Sequence, residues 1–254
     1  MPSGYLDCPR PIAFAHRGGA GHFPENTWRA FEHAVGLGYA YLETDVHATA
    51  DGVLVAFHDK TLDRVTDSSG RIAALPHSAV AAARIGGTDP VPLLEDLLGA
   101  WPDVRFNIDV KDAPAVGPLA GVLRRTAAWD RVCITSFSAR RLAATRRALQ
   151  RPVCMATSPV GLGALRSGLP AAAIAPRFAA RSVRCAQIPV SMATAHFVSR
   201  AHAAGLQVHV WTVNDRQLMT DLVDTDVDGI MTDQTQVLRE VLVGRGQWHP
   251  RQAG

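Results

Sequence analysis

The chain has 254 residues, enough for one or two domains by the usual size of a folding unit. Its 47% apolar and 19% charged residues are a globular mixture, which excludes a disordered chain, a collagen and a coiled coil. The net charge of +3 is carried almost wholly by scattered arginines (Lys60 and Lys111 are the only lysines), which argues against nucleic acid as a partner.

Short β-rich runs alternate with longer runs of Ala, Leu and Arg. Strands are expected at 11–15, 40–46, 105–111, 131–135, 152–156, 171–175, 207–212 and 229–232. Helices are expected at 27–37, 93–100, 114–128, 139–149, 162–167, 193–204, 215–223 and 236–243, with Gly38, Gly168 and Gly205 placed to stop a helix before the next strand. Eight βα units in this length fit a (β/α)8 TIM barrel better than an open doubly wound sheet. The segment Gly18-Gly19-Ala20-Gly21 after the first strand does not match the dinucleotide fingerprint. Two stretches break the rhythm: a short extra strand at 53–57 and a turn-rich excursion at 59–92, read as a loop over one end of the barrel and a possible lid. The expected organisation is one barrel domain over 10–245 with a loose tail at 246–254.

The first ten residues lack a basic-then-apolar leader pattern and no run reaches 18 apolar residues, so the expectation is a cytoplasmic protein without an integral membrane segment. Cys8, Cys133, Cys154 and Cys185 are far apart with no CxxC pair, and read as buried thiols of a reducing compartment.

Active sites of barrels sit where the strands end. The first strand delivers His16 and Arg17 there. In the second, Glu43 and Asp45 are two apart and share a face. In the third, Phe106, Ile108 and Val110 face the helices, which turns Asn107, Asp109 and Lys111 inward. Three inward carboxylates raise one another's pKa unless a cation neutralises them. Oxygen ligands with open positions suit one divalent ion, Mg²⁺ or Ca²⁺. Lys111 and Arg17 add the positive charge a phosphate needs, and His16 and His58 are imidazoles able to move protons near neutral pH. Asn26 is expected to cap the helix from Thr27, with Glu25 and Asn26 supporting His16 or the metal. Trp211 and Ser136-Phe137 are expected to wall a substrate pocket. His47 and His209, on strands near the site, receive no role.

His16-Arg17-Gly18, Pro24-Glu25-Asn26-Thr27, Glu43-x-Asp45, His58-Asp59, the 107–111 strand, Trp211-Thr212-Val213-Asn214 and the 227–233 segment stand in that order. Together, over residues 11–235, they resemble the glycerophosphodiester phosphodiesterase family. The resemblance implies a barrel of the phospholipase C-like phosphodiesterase type. It would hydrolyse glycerophosphodiesters to sn-glycerol 3-phosphate and an alcohol with a divalent metal. Carried over by position, Glu43, Asp45 and Asp109 are metal ligands, His16 and His58 the acid/base pair, and Arg17 and Lys111 the phosphate holders. The third ligand is commonly Glu in that family; Asp109 is one methylene shorter. The implied mechanism is attack of the glycerol 2-hydroxyl on phosphorus to give a cyclic phosphate that water opens. Two alternatives are a lysophospholipase D acting on lysophospholipids and a binding protein on an inactive barrel. The latter would have lost a His or a carboxylate, and all are present.

Overall fold

The computed structural model describes residues 4–251. Its strands are β1 (Ile12–Ala15), β2 (Tyr41–Ala48), β3 (Leu54–Ala56), β4 (Arg84–Ile85), β5 (Asp89–Pro90), β6 (Arg105–Val110), β7 (Val132–Thr135), β8 (Cys154–Ala156), β9 (Val183–Pro189), β10 (Gln207–Trp211) and β11 (Gly229–Thr232). The helices are α1 (Trp28–Gly36), α2 (His77–Ala82), α3 (Leu94–Ala100), α4 (Val116–Arg125), α5 (Ala139–Leu149), α6 (Pro159–Arg166), α7 (Ala171–Ala179), α8 (Ala195–Ala203), α9 (Arg216–Asp224) and α10 (Thr235–Gly244). The parallel order β1-β11-β10-β9-β8-β7-β6-β2 closes through a β1–β2 pairing, so eight strands form a barrel; β3 adds antiparallel to the far end of β2.

Alternation along each strand sorts side chains into two cores. One set, including Leu42, Val46, Phe106, Ile108, Ile134, Val208 and Val210, packs against the helices. The other, with Ile12, Phe14, Tyr41, Cys133, Cys154, Cys185 and Met231, fills the barrel interior toward the N-terminal ends of the strands, where Tyr5 packs against Tyr41. Hydroxyl or carboxylate side chains accept a first-turn N–H at several helix starts: Thr27 for α1, Ser138 for α5, Ser158 for α6, Thr194 for α8 and Asp215 for α9.

Three expectations are corrected. Residues 171–175 are not a strand but the start of α7, because a run of alanines favours helix over sheet even with Pro176 inside it. The sixth barrel strand is β9, which pairs with β8 on one side and β10 on the other. The α1 cap is Thr27, whose Oγ1 accepts the Ala30 N–H at 3.2 Å, and not Asn26. The tail, expected to be loose, is docked as far as it is described. The Trp248 ring sits 5.1 Å from that of Tyr39, and the Arg251 N–H donates to the Gly38 carbonyl at 2.8 Å. A large aromatic ring with apolar surface to cover outweighs the entropy of a free terminus. Residues 252–254 lie outside the described residues.

The 59–92 excursion holds α2, β4 and β5 around its own apolar cluster of Phe57, Leu62, Ile72, Val80, Ile85 and Val91. It is tied to the loop after β1 by Arg64 to Glu25 and to α1 by Arg29 to Asp89. Among the described residues no helix is long and apolar enough to cross a membrane.

Candidate active site

At the C-terminal mouth of the barrel lies a cavity of about 370 Å³. His16, Arg17, Glu43, Asp45, His58, Asp109, Lys111 and Trp211 all line it, so every residue expected to bind metal or substrate, or to move protons, is brought to one place.

The loop after β1 sets the first side. Arg17 has φ +52° and Gly18 and Gly19 follow at +81° and +89°, a left-handed run that swings the chain back under α1. A side chain at Gly18 would meet the Ala30 Cβ and the Phe31 nitrogen at 2.9 Å, so only glycine fits. This turn points the Arg17 N–H at Glu43 Oε2, 2.9 Å away. The His16 Nδ1 is 2.7 Å from Asp233 Oδ1 at the end of the neighbouring β11, leaving Nε2 facing Glu43 Oε2 at 3.9 Å. Burial alone would lower the His16 pKa, but Asp233 and Glu43 outweigh it and the imidazole is raised.

On the second side β2 and β6 run in register, with Asp45 opposite Asp109 and Glu43 opposite Asn107. The Lys111 ammonium donates to both Asp45 Oδ1 and Asp109 Oδ2 at 2.8 Å. Asn26, buried with φ +55°, donates from Nδ2 to Asp45 Oδ2 at 3.2 Å and accepts from Thr44 Oγ1 at 2.8 Å. It is a positioning residue for a carboxylate, as the sequence suggested beside the cap. Glu25 accepts from Arg17 at 3.1 Å and also pairs with Arg64.

The charges do not balance. Burial, then the charge of Asp45, pushes Glu43 up to about 7. Burial works against the Asp45 charge, yet Lys111 and Arg17 hold its pKa down, whereas burial wins at Asp109 and raises it. Asp109 Oδ1 is buried with no hydrogen-bond partner. An orphaned carboxylate oxygen beside an unneutralised Glu43 is a deficit that a divalent cation fits, and the oxygen set is the hard kind Mg²⁺ or Ca²⁺ takes. The three carboxylates are not drawn to within 4.8 Å of one another as a set. Like charges separate, and Lys111 holds the gap between Asp45 and Asp109.

The third side carries His58, whose Nδ1 is 2.6 Å from Asp59 Oδ1. Arg64 binds Asp59, and its pairing, more than that of His58, drops the Asp59 pKa to about 2. The buried His47, unassigned from sequence, donates from Nε2 to the His58 carbonyl at 3.1 Å and pairs through Nδ1 with Asp112 at 2.9 Å, fixing the loop that carries His58. Opposite, the exposed Phe137 stands edge-on to Trp211 at 5.6 Å with Lys111 over its ring at 5.6 Å, so both aromatics wall the cavity. Below, Asn107 and Gln187 exchange amide hydrogen bonds of 3.3 and 2.7 Å across the barrel and make its floor.

Sequence reasoning gave no role to Asp233, Asp59 or Gln187. The signal for Asp233 was its place at the end of the last barrel strand, which closure sets beside the first.

Two imidazoles, each backed by a carboxylate, face an acidic cluster edged by Arg17 and Lys111; that is machinery for opening a phosphate ester. Comparison with known proteins agrees. Residues 16–237 match the Glycerophosphoryl diester phosphodiesterase family. The "Probable glycerophosphodiester phosphodiesterase 2" of Mycobacterium tuberculosis is 44% identical over 247 residues, covering 93% of this chain and 92% of that protein. Two solved structures share the fold. A phosphodiesterase of Oleispira antarctica, in complex with the product sn-glycerol-3-phosphate, has a TM-score of 0.79 at 23% identity over 92% of this chain and 97% of that one. A glycerophosphodiester phosphodiesterase of Agrobacterium tumefaciens has a TM-score of 0.78 at 22% identity over 92% and 99%. The chain is a phosphodiesterase with a TIM-barrel fold and belongs to the glycerophosphoryl diester phosphodiesterase family.

Proposed function

We propose that the protein hydrolyses glycerophosphodiesters to sn-glycerol 3-phosphate and an alcohol, with one divalent ion held by Glu43, Asp45 and Asp109. The observation that carries this is the pair of carboxylate-backed imidazoles on either side of an under-neutralised acidic cluster in one cavity. The ion, Mg²⁺ or Ca²⁺, would supply Lewis-acid stabilisation of the phosphoryl oxygens. Lys111 and Arg17 bind and orient the phosphate. Asp233 and Asp59 each hold the Nδ1–H of their imidazole, so Nε2 is the working atom of both: the reaction starts with one ring neutral and presenting its Nε2 lone pair, and the other carrying a proton on Nε2.

One imidazole takes the proton of the glycerol 2-hydroxyl as that oxygen attacks phosphorus. The other gives a proton to the departing alcohol oxygen as its bond to phosphorus breaks. Water then opens the cyclic phosphate with the roles exchanged, which returns both imidazoles to their starting protonation. The substrate brings its own nucleophile, consistent with a cavity whose only hydroxyls, Thr135, Ser136, Thr157 and Thr212, include none bonded to a histidine.

The test is release of choline from glycerophosphocholine. His16→Ala and His58→Ala are each expected to lower kcat about 10²- to 10⁴-fold. Chelation by EDTA should abolish turnover reversibly with the circular dichroism unchanged. Full turnover in chelator overturns the metal role, and normal rates in both histidine variants overturn the acid/base role.

A second reading, lysophospholipase D activity, is favoured by the apolar rim. Phe137, 65% exposed, lines the cavity with Pro159 and Leu162. A higher kcat/KM on lysophosphatidylcholine than on glycerophosphocholine would select it.

A further inference from the structure

Beneath the Asn107–Gln187 floor, the barrel interior holds a second group of metal-ligating side chains that the phosphodiesterase chemistry does not use. Cys133, Cys154 and Cys185 project inward from β7, β8 and β9. Cys133 is opposite Cys154 in the β7–β8 register, and Cys185 is opposite Ala156 across β8–β9. Their three sulfurs lie within 4.8 Å of one another, and Cys133 Sγ is 3.8 Å from Cys185 Sγ. All three residues are buried among Tyr5, Phe14, Tyr41 and Met231.

One buried thiol is a small apolar filler. Three that converge where a barrel ordinarily packs branched aliphatics ask for more. A separate observation comes from β10. The His209 side chain is fully buried on β10, which pairs with the β9 that carries Cys185, and its ring nitrogens stand outside the 4.8 Å group that the three sulfurs form. Its Nε2 is 3.1 Å from Gln207 Oε1, an oxygen that can only accept, so the proton sits on Nε2. Nδ1 is then a bare lone pair, and it is buried with no partner. A buried acceptor left without a donor is unfavourable. A histidine whose other ring N–H is held by an oxygen acceptor is also how imidazole ligands are oriented toward metals.

We propose that Cys133, Cys154, Cys185 and His209 form a site for one thiophilic d¹⁰ cation, Zn²⁺ in the cell, separate from the carboxylates at the mouth. Three thiols and one imidazole are a complete tetrahedral set of the structural zinc type, with no position left for water or substrate. Binding of a divalent ion displaces three thiol protons, one from each cysteine, while the neutral His209 gives its Nδ1 pair, leaving the site at a net charge of −1. The two centres sort their ions by softness: sulfur and imidazole below take Zn²⁺ or Cd²⁺, oxygen above takes Mg²⁺ or Ca²⁺. The ion would lash β7, β8, β9 and β10 together on the side of the barrel away from His16 and Glu43, so its effect falls on stability and not on the acid/base groups.

The experiment uses the full chain, refolded from urea under reductant with Cd²⁺ as the probe and excess Mg²⁺ present to occupy the carboxylates. One Cd²⁺ retained per chain after gel filtration, with a thiolate-to-cadmium ultraviolet charge-transfer band and a raised Tm, is the expected result. Cys8→Ser should keep the band, and Cys154→Ser should lose it. His209→Gln should weaken Cd²⁺ retention about tenfold or more, with activity on glycerophosphocholine kept. If the cysteine variants do not fold, the wild type still decides: bound Cd²⁺ should shield three of its four thiols from alkylation. A refolded, reduced wild type that holds no Cd²⁺, or holds it without the band, overturns the proposal.

Discussion

The groups proposed to meet substrate are held in place by others that line no part of the reacting centre. Asp233 fixes the His16 tautomer through one 2.7 Å contact. Asp233→Asn removes the charge and can donate where the imidazole must donate, so kcat should fall by about 10² or more with Tm nearly unchanged; steady-state kinetics and a thermal melt check both halves. Asn26 and Thr27 are adjacent yet do different work. Thr27→Ala should cost about 1 kcal/mol of stability through the lost cap, with kcat little altered. Asn26→Ala should instead lower kcat by loosening Asp45, and urea melts beside kinetics separate the two. Most of the site was legible at this scale because strand alternation alone turns Glu43, Asp45, Asp109 and Lys111 inward. The exchange between Asn26 and Thr27 was not, since an Asn before a helix caps it by default and only its left-handed backbone here redirects the amide. Nor could sequence show that Lys111 would bridge two of the expected metal ligands.

Between elements, Asp228 is the tightest polar knot away from the site. Its fully buried carboxylate accepts from Arg10, from the Val208 N–H at 2.7 Å and from His202 at 2.6 Å, joining the chain before β1 to α8 and β10. Burial would raise its pKa, but these donors more than offset that and it is lowered. A depressed folded value means the stabilisation is fully present above the unfolded pKa of about 3.9 and is lost as pH falls through the folded one. Asp228→Asn should therefore cost about 2 kcal/mol at pH 7 and much less below pH 3, measured by urea unfolding at both. Elements with a clear amphipathic period, such as α1, α5 and α9, were readable in advance. The exchange of a strand for α7 was not. Residues 171–175 are apolar and, apart from Ile174, all alanine, and a short apolar run has no period to arbitrate, whereas β9 is broken up by Arg184, Gln187 and Pro189.

Over the whole molecule, the eightfold alternation fixed the architecture, and what it left out lies at the seams. The docked tail covers Tyr39 with Trp248, over which Arg239 lays its guanidinium at 5.9 Å. Trp248→Ala should lower stability by about 2 kcal/mol with kcat kept, as a thermal melt and an assay would show. A single tryptophan after the last helix gives no periodic signal, so that seam could not be read from order alone. The other seam is the join of β1 to β11, and it has a kinetic meaning. His16 and Asp233 stand 217 positions apart, so their contact exists only once the ring is shut. A nascent polypeptide still missing its final stave therefore carries an unsupported imidazole, and in a refolding time course hydrolytic competence should return with the last event and not with the bulk of secondary structure.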